Sequence, residues 1–468
     1  MRIVTINPAN GKPLQSYETL SPSALDATLD RATSAGKTWS RLSIAERAAG
    51  LSRLGAVLRE RRDRLASLAT AEMGKTIAEA KAEIDKCALT CDFYAEHAEA
   101  FLRAEEVRTE ARTAYVELQP LGVLLAIMPW NFPYWQAIRA AAPALAAGNA
   151  IVIKHADNTT GSNLALCEAI EAAGLTYGLV SPLVLEVERV AGVIADHRIA
   201  AVTLTGSTRA GRAVAAAAGA VLKKTVLELG GSDAFIVLSD ADLDAAARWA
   251  VRSRFQNAGQ SCIAAKRLIV EQSVADTFIE RVCAEVRTLR LGDPVDPATT
   301  IGPIARRDLH VQLAAQVSAS LARGAVALVG GAARPGPGFF YEPTVLDRVT
   351  PDMPVLDEEV FGPALPVIRV RDADEAVEVA NRSAYGLGSA LWTADLARGR
   401  ALASRLAAGH SVVNGMTASD PRLPFGGIKQ SGYGRELSHH GLREFVNVHA
   451  VVVNDPSGPP ASPVHKGE

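Results

Sequence analysis

The sequence has few cysteines, few aromatic residues and almost no net charge. Its five cysteines are too few and too scattered for a disulfide framework, so we expect a reducing compartment, the cytoplasm. Lys and Arg number 49 against 51 for Asp and Glu, which leaves no basic surface of the kind that binds nucleic acids. Aromatic residues make up only 5%, a composition that suits close packing of helices on sheets. A small molecule is therefore the expected partner, and a nucleic acid is not.

Long hydrophobic runs are absent as well. The longest, LGVLLAIMP at 121–129, is well short of the ~20 residues that a membrane-spanning helix requires. The segment after Met1 lacks the basic stretch and the apolar core of a secretory signal. We therefore expect neither a signal peptide nor contact with a membrane.

The sequence does contain a clear change of pattern along the chain. With roughly 100 to 200 residues per domain, 468 residues predict two or three domains. From residue 21 to about 102, apolar residues recur at helical spacing. After Pro133, short apolar strands alternate with helices, which indicates parallel sheets joined by crossovers. A second run of this kind begins near Arg267, so we predict an α/β fold with two sheets that meet near 230–240.

Two segments interrupt this pattern. Residues 113–128, TAYVELQPLGVLLAIM, predict two short strands around a turn at Pro120 and Gly122, which would form an edge or pairing element. The segment after about Asn454 is rich in Pro, Gly and Ser, and we expect it to be flexible.

One cysteine differs from the other four in its surroundings. Cys262 follows a polar, glycine-bearing loop in FQNAGQSCIAAKR, where a thiol is open to chemistry. The others lie on apolar helix faces, which is typical of small buried hydrophobic residues: Cys87, Cys91, Cys167 and Cys283. On its own, Cys262 is either a structural residue or a nucleophile.

Three further motifs offer partners for a nucleophile. Glu228 ends a strand in ELGG and is either a general base, pointing into the ligand crevice of an α/β sheet, or a solvated strand end. Asn131 lies in PWNFPYWQ and either stabilises an oxyanion or caps a turn. TGSTRAG, residues 205–211, follows a strand and opens a helix, so Gly206 and Gly211 mark either a phosphate site or a structural turn.

Seven motifs occur in an order that resembles the aldehyde dehydrogenase superfamily: PWNFP, KHADN, TGSTRAG, ELGG, GQSC, EEVFGP and PFGGIKQSGYGRE. The resemblance extends from NPANGK to about Val453, nearly the whole chain. Within the superfamily, IMPWNFPYWQ, ELGGSDAFIVLSDADL and GRELSHHGLREFVN are most similar to bacterial succinate-semialdehyde dehydrogenases that accept NAD or NADP.

The resemblance implies a catalytic mechanism. Cys262 would be the nucleophile, Glu228 the general base, and Asn131 with the backbone amide of Cys262 the oxyanion hole. A thiolate would add to an aldehyde carbon, a hydride would pass to a nicotinamide, and the thioester would be hydrolysed. Relatives that pass the acyl group to coenzyme A tend to lack this glutamate, so Glu228 favours a free acid. His155 has no second His or Cys at metal-ligand spacing, and no metal is expected.

The resemblance also implies a cofactor cleft. Lys154 would contact the adenosine ribose, Ser207 the pyrophosphate, and Glu359 with Phe361 the nicotinamide ribose. Asp157 stands where relatives selective for NAD often carry glutamate, and its carboxylate would repel a 2′-phosphate, so we expect NAD to be preferred and NADP to be a possible second cofactor. The complete cofactor set is Trp130, Lys154, Asp157, Gly206, Ser207, Gly211, Leu229, Glu359 and Phe361.

For the substrate, the resemblance implies succinate semialdehyde. Arg139, eight residues after Asn131, stands where relatives place an arginine for the distal carboxylate, although it can also be a helix-surface residue. A second arginine of such relatives is replaced by Gln256, and Ser419, with Arg422 nearby, occupies a further substrate position. A different small aliphatic or aromatic aldehyde, acyl transfer to coenzyme A, and a non-catalytic role on the same fold are the alternatives.

The resemblance finally implies an aldehyde dehydrogenase-like α/β fold with three structural parts and a tail. A doubly wound NAD(P)-binding domain comprises 1–105 and 123–230, and an α/β catalytic domain comprises 231–435. A β oligomerisation flap combines 106–122 with 436–457, and a short flexible tail follows at 458–468. Relatives assemble through the flap, so we expect a homodimer or a homotetramer.

Overall fold

The computed structural model describes residues 1–458. The chain begins with an antiparallel hairpin of β1 (Arg2–Asn7) and β2 (Lys12–Glu18). Four helices follow: α1 (Pro22–Ser40), α2 (Ile44–Glu60), α3 (Arg62–Met73) and α4 (Ile77–Leu102). The helices confirm the helical block that the apolar spacing predicts. The hairpin is not predicted, although RIVTIN alternates and Asn10-Gly11 is a favoured hairpin turn.

The first half of the chain then alternates strands with helices, as predicted. Its strands are β3 (Glu105–Glu106), β4 (Thr113–Pro120), β5 (Val123–Met128), β6 (Ala150–His155), β7 (Val180–Pro182), β8 (Ile199–Thr205) and β9 (Lys224–Glu228). Its helices are α5 (Trp135–Ala146), α6 (Thr160–Ala172), α7 (Val190–Ala195) and α8 (Thr208–Ala220).

The second half has the same alternation with more short strands. These are β10 (Asp233–Val237), β11 (Ala265–Glu271), β12 (Val326–Val329), β13 (Thr344–Asp347), β14 (Ala364–Val370), β15 (Tyr385–Gly386), β16 (Gly388–Trp392), β17 (His410–Val413), β18 (Ile428–Lys429), β19 (Gly432–Tyr433) and β20 (Val446–Val453). The helices are α9 (Leu243–Phe255), α10 (Gln272–Arg287), α11 (Arg307–Ala322), α12 (Pro354–Asp357), α13 (Ala373–Asn381), α14 (Leu396–Ala403) and α15 (Ser438–Arg443).

Two large sheets organise the structure. The first has the order β19-β9-β8-β5-β6-β7, parallel except for β19. The second has the order β12-β13-β14-β11-β10-β16-β17, parallel except for β12. Helices separate successive parallel strands in both sheets, which confirms the α/β prediction.

The segment 113–128 forms the two predicted strands, but they do not pair with each other. β4 pairs with β20 and β3 in a separate three-stranded antiparallel sheet. β5 instead lies between β6 and β8 in the first large sheet. The reason is compositional: VLLAIM is a continuous apolar run, and five of its six residues are buried, as expected for a central parallel strand.

The domain borders remain a prediction, and one strand crosses them. β19 falls within the predicted catalytic part, 231–435, yet it pairs with β9 of the first sheet, Gly432 opposite Glu228. The 425–436 segment therefore returns to the first sheet and lies beside the end of β9. The predicted flexible tail, 458–468, lies outside the described residues except for Gly458, which bridges to Asp455.

A fully buried helix, α5, packs between helix α4 and the first sheet. All twelve residues of α5, WQAIRAAAPALA, are buried. Six of them are alanine, and such short side chains let α4 and the first sheet approach closely. The N-terminus of α5 is fixed by Glu83 of α4, whose Oε1 accepts hydrogen bonds from the amides of Tyr134 and Trp135 at 2.8 and 2.9 Å. The loop that contains Asn131 thus ends on a rigid helix.

Candidate active site

The first sheet reverses its strand order between β5 and β8. From β5 the chain proceeds outward through β6 and β7, and then returns to β8 and β9 on the other side. At such a point the loops after neighbouring strands diverge and leave a crevice at the carboxyl ends of the strands, which is where open α/β sheets bind ligands. The loop after β5 contains Trp130 and Asn131, and the loop after β8 contains Gly206 and Ser207.

The Cys262 loop, between α9 and β11, has an unusual backbone. Asn257, Ala258 and Gly259 all have positive φ, at 54°, 53° and 73°. Such left-handed conformations are unfavourable for residues with a Cβ and concentrate at functional sites. A Cβ at Gly259 would lie 2.3 Å from the carbonyl oxygen of Gly362, so only glycine fits. The loop is therefore held in one strained shape.

This strained loop positions Asn131. The Asn257 amide donates to the backbone oxygen of Asn131 at 2.8 Å and to that of Gln260 at 3.1 Å. The Asn131 amide itself donates to the Gln260 oxygen at 3.1 Å. An amide has two N–H groups, so Asn131 retains one for another acceptor. The buried Asn131 side chain is thus a fixed donor next to the Cys262 loop.

Cys262 is the half-buried thiol, whereas the other four cysteines are buried as predicted. It lines a cavity of about 610 Å³. Burial raises the pKa of Cys262 to about 12, while the cations Lys266 and Arg139 oppose this rise. The thiol is therefore neutral at physiological pH and needs a base, or a cation brought closer, to become a thiolate.

Glu228 is a buried carboxyl group at the end of β9 with unsatisfied oxygens. It is 2% exposed, and among residues 1–458 neither carboxylate oxygen has a hydrogen-bond partner. Burial raises the pKa of Glu228 well above its usual range, Glu436 adds to the rise, and Arg139 opposes it. The predicted alternative, a solvated strand end, is wrong because the 425–436 segment covers this carboxyl so closely that a Cβ added at Gly426 would lie 2.8 Å from its Oε1.

Arg139 lines the cavity but is not free to meet a substrate. It is 1% exposed and forms a buried ion pair with Glu436. It also donates to the Thr205 hydroxyl at 3.1 Å, and its guanidinium carbon lies 4.8 Å from the centre of the Phe425 ring. The helix-surface alternative is excluded by this burial. The predicted contact with a substrate carboxylate would require the Glu436 pair to break.

The other predicted substrate residues lie at the same cavity. Gln256 is exposed and lines it, as does Ser419. The hydroxyl of Ser419 accepts a hydrogen bond from Lys86 at 2.7 Å. Arg422 is paired with Asp420 and mostly exposed, so it does not take over the role of the second arginine of such relatives, whose position Gln256 occupies here.

The predicted cofactor residues fall into two groups along the crevice. In the first, Lys154 is the penultimate residue of β6, and its ammonium lies 2.8 Å from the carboxylate of Asp157, which is half exposed. Ser207 caps α8, and its hydroxyl accepts from the Ala210 amide at 3.3 Å, which leaves the hydroxyl proton available. Gly211 has a structural role, since a Cβ there would lie 2.5 Å from Leu229.

The second group surrounds the turn after β9. The Oε1 atom of Glu359 accepts hydrogen bonds from the Gly231 amide at 3.0 Å and from Lys266 at 2.6 Å. The rings of Trp130 and Phe361 meet edge to face, with centres 5.7 Å apart. This group therefore lies close to the Cys262 loop, because Lys266 touches that loop as well.

Three functional candidates are absent from the prediction: Lys86, Lys266 and Glu436. Lys266 is buried on β11, where its ammonium donates to the carbonyl oxygens of Gly231 at 2.7 Å and Cys262 at 2.9 Å. The sequence does offer a signal for Lys266, because a lysine in the apolar strand AAKRLIVE is unusual and indicates a buried, paired charge. Lys86 gives no such signal, because its helix has polar residues on several faces.

Neither a metal cluster nor a membrane-spanning helix is found in the described range. Residues 1–458 contain no group of three His, Cys, Asp or Glu side chains arranged to hold a metal ion. No helix in that range is long and apolar enough to cross a membrane. His155 is buried, and its Nε2 lies 2.6 Å from the Pro133 oxygen.

Comparison with known proteins agrees with this geometry. The family model described as "Aldehyde dehydrogenase family" matches residues 1–451. The chain belongs to the aldehyde dehydrogenase family. Its fold, α/β with two large sheets and a small antiparallel sheet, is that of the family's solved structures.

Several relatives have names that specify a substrate. The chain is 46% identical, over 96% of its length and 97% of the relative's, to an NAD(P)+ succinate semialdehyde dehydrogenase, Sad, of Escherichia coli strain K12. It is 47% identical, over 96% of its length and 99% of the relative's, to an NADP(+) succinate-semialdehyde dehydrogenase 1 of Mycobacterium tuberculosis strain H37Rv. A solved succinic semialdehyde dehydrogenase of Streptococcus pyogenes, in complex with NADP+, is 40% identical with a TM-score of 0.94, over 97% of this chain and all of that one.

Proposed function

We propose that this chain oxidises succinate semialdehyde to succinate, with NAD(P)+ as the oxidant and a thioester on Cys262 as the intermediate. The observation that carries the proposal is the cavity of about 610 Å³, which joins the Cys262 thiol to several cationic side chains. Three carboxylates, Glu79, Glu83 and Glu285, line the cavity as well, but Glu79 accepts a hydrogen bond from the Asn257 amide and Glu83 pairs with Lys75. Cations therefore remain for an aldehyde with a carboxylate at its far end. The names of the relatives from three bacteria agree with this substrate.

In the first step, the Cys262 thiol gives its proton to the Glu228 carboxylate through a water molecule, Glu228 passes it on to solvent, and the thiolate sulfur attacks the aldehyde carbon. A C–S bond forms, and the electrons of the C=O double bond move to oxygen. That oxyanion accepts hydrogen bonds from the Asn131 amide and from the backbone amide of Cys262. Oxyanion donors of this kind typically contribute ~2.7 to 4 kcal/mol each to transition-state stabilisation. The Asn257 contacts keep the Asn131 donor in place.

The residues along the crevice fit a dinucleotide. The N-terminus of α8 with Ser207 and the ammonium of Lys154 suit a pyrophosphate and a ribose, and the Glu359 carboxylate suits a second ribose. When bound, the nicotinamide supplies a hydride acceptor, which turns the thiohemiacetal into a thioester. Trp130 and Phe361 would line its ring, and Lys266 holds Glu359 in position.

Glu228 then acts as the general base that hydrolyses the thioester. Its carboxylate takes a proton from water, the water oxygen attacks the thioester carbon, and the thiolate of Cys262 leaves. The carboxyl must be ionised to act as this base, and its raised pKa brings ionisation closer to working pH. A free acid is the product, as opposed to an acyl group on coenzyme A.

For the cofactor, we propose that NAD is preferred and that NADP is also accepted. Asp157 would repel a 2′-phosphate, but its pairing with Lys154 at 2.8 Å reduces that repulsion. The relatives named for NADP make this ratio worth measuring directly. Asp157→Ser is expected to shift the ratio of kcat/KM values towards NADP by about tenfold. A wild-type ratio that favours NADP would contradict the proposed preference.

We also propose that the chain forms a homodimer or homotetramer in the cytoplasm. β20 is an edge strand of the three-stranded sheet, and Val448 and Val452 on it are 65% and 59% exposed. Such an edge favours pairing with another chain. Light scattering of the purified protein tests this state, and a monomer at working concentration would contradict it.

The proposed activity is tested with the purified chain, three substrates and two cofactors. Absorbance of the reduced nicotinamide is followed with succinate semialdehyde, with butanal and with an aromatic aldehyde, each with NAD and with NADP. The highest kcat/KM is expected for succinate semialdehyde, and the product should be succinate with or without coenzyme A. Equal or higher kcat/KM for butanal would overturn the substrate assignment, and a coenzyme A requirement would overturn hydrolysis.

A further inference from the structure

Lys86 is a cation in the cavity wall whose partners are neutral. Its ammonium donates to the Ser419 hydroxyl at 2.7 Å and lies 4.1 Å from the centre of the Trp135 ring. The carboxylates of Glu83 and Asp420 act on its charge, but they pair with Lys75 and Arg422, and no ion pair of Lys86 is found among residues 1–458. An ammonium that is largely removed from water and has only neutral partners favours the approach of an anion.

The other cations around the cavity are engaged or exposed. The charge of Arg139 is already neutralised by its buried ion pair with Glu436. Arg248 and Arg252 lie on the exposed face of α9, where water and salt screen their charge. Lys86 is therefore the cation best placed to meet a charged group inside the cavity.

We propose that Lys86, held by Ser419 and Trp135, binds the carboxylate at the far end of the aldehyde substrate. This inference rests on the proposed function and assigns its substrate-recognising residue. The carboxylate accepts one hydrogen bond from the ammonium and a second from the Ser419 hydroxyl, which is free to turn its proton. Lys86 and Cys262 line the same cavity, so the charged and the reacting end of one molecule share it.

This assignment differs from the sequence prediction in one respect. The sequence predicts that Arg139 binds the carboxylate, with Ser419 as a further contact. Ser419 keeps that role, while Lys86, which comes from α4 far earlier in the chain, takes the place of the arginine.

The charge on Lys86 also depends on pH within a measurable range. Burial, together with the charge of the nearby Arg139, lowers the pKa of Lys86 to about 8, although Cys87, Asp420 and Glu83 oppose the shift. As the pH rises through this value the ammonium loses its proton, and the preference for an acidic aldehyde over an uncharged one should fall. The ratio of the two kcat/KM values isolates this effect, because titrations of Cys262 and Glu228 act on both substrates.

The experiment compares succinate semialdehyde with butanal in Lys86→Met, Lys86→Arg, Ser419→Ala and the wild type. In Lys86→Met, the kcat/KM ratio should fall by about ten- to hundredfold, mainly through KM for the acidic aldehyde. Lys86→Arg should keep most of the ratio and lose its decline above about pH 8, because a guanidinium stays charged. Ser419→Ala should reduce the ratio by a few fold, and Lys81→Met, on an outer face of α4, should leave it unchanged.

Three outcomes would overturn the inference. In the first, Lys86→Met lowers kcat/KM for both aldehydes by the same factor, which would show that Lys86 has a structural role only. In the second, the wild type prefers succinate semialdehyde and Lys86→Met retains that preference, which leaves the proposed function intact but refutes Lys86. In the third, the wild type itself does not prefer the acidic aldehyde, and then the proposed substrate fails together with the inference.

Discussion

The ammonium of Lys266 lies 2.9 Å from the carbonyl oxygen of Cys262. The same ammonium donates to Gly231 and to Glu359, so one side chain ties the nucleophile loop to the turn after β9 and to a cofactor-side carboxylate. Its positive charge also opposes the rise in the Cys262 pKa that burial causes. Lys266 is therefore a positioning residue that also favours the thiolate.

Replacing Lys266 by methionine should weaken the nucleophile. The pKa of Cys262 should rise further, and alkylation of its thiol by iodoacetamide at fixed pH should slow by about tenfold or more. We expect kcat/KM to fall by at least a similar factor, since Glu359 also loses its partner. Lys12→Met, on the exposed strand β2, is the control. An unchanged alkylation rate would show that Lys266 has no electrostatic effect on the thiol.

The raised pKa of Glu228 predicts that the acid limb of the kcat–pH profile lies at a higher pH than an ordinary glutamate would give. An ordinary glutamate ionises near pH ~4.3, but the base here must be ionised against burial. We expect kcat to increase with pH well above that value when hydrolysis limits turnover. A kcat that is constant from about pH 5 upward would contradict this assignment.

The same shift predicts how stability changes with pH. The folded-state pKa of Glu228 lies above the unfolded one, so its contribution to stability is fully present below the unfolded pKa. That contribution is lost as the pH rises through the folded pKa. Glu228→Gln should therefore lose less free energy of unfolding between acidic and alkaline pH than the wild type, as measured by urea denaturation. Parallel curves for the two proteins would argue against the shift.

Arg139 is predicted to act on stability and on turnover, without selectivity for an acidic substrate. Arg139→Leu leaves the buried Glu436 carboxylate without its cation, which should cost about 3–5 kcal/mol of unfolding free energy. Because Arg139 also lowers the pKa of Glu228, kcat should fall for acidic and uncharged aldehydes alike. Arg139→Leu combined with Glu436→Leu should recover much of the stability. A KM increase confined to the acidic aldehyde would restore the sequence-based role.

Gly259 is predicted to be irreplaceable in the Cys262 loop. Gly259→Ala places a Cβ 2.3 Å from the Gly362 oxygen, in a residue with φ of 73°. The steric and conformational costs together should reach about 2–4 kcal/mol, and activity should fall as the loop shifts. Gly219→Ala, which has open space around it in α8, is the matched control and should be neutral or slightly stabilising. Equal effects of the two substitutions would contradict the strained-loop account.

Local motifs made much of the site predictable. Cys262, Glu228 and Asn131 each lie in or beside a short segment that contains glycine or proline, and loops after the strands of an α/β sheet converge at one edge. The alternation of apolar runs with helices likewise predicts two sheets. The continuous apolar run of β5 is itself a signal of a central strand, although the neighbouring Pro120 and Gly122 suggest a hairpin.

Long-range pairing accounts for what the sequence did not predict. Arg139 and Glu436 are far apart in the chain and lie on different elements, so no local pattern connects them. The same holds for Lys86 and Ser419. A charged residue on a helix gives the same periodic signal whether it faces solvent or a cavity, and only tertiary packing decides which.

The central claim is that Cys262 carries the acyl group and that Glu228 releases it. The most direct test mixes Glu228→Gln with succinate semialdehyde and NAD, then digests the quenched protein for peptide mass spectrometry. We predict a burst of about one NADH per chain followed by a stall, with an acyl group on the peptide that contains Cys262. Sustained turnover at the wild-type rate, or an acyl group on any other residue, would contradict the account.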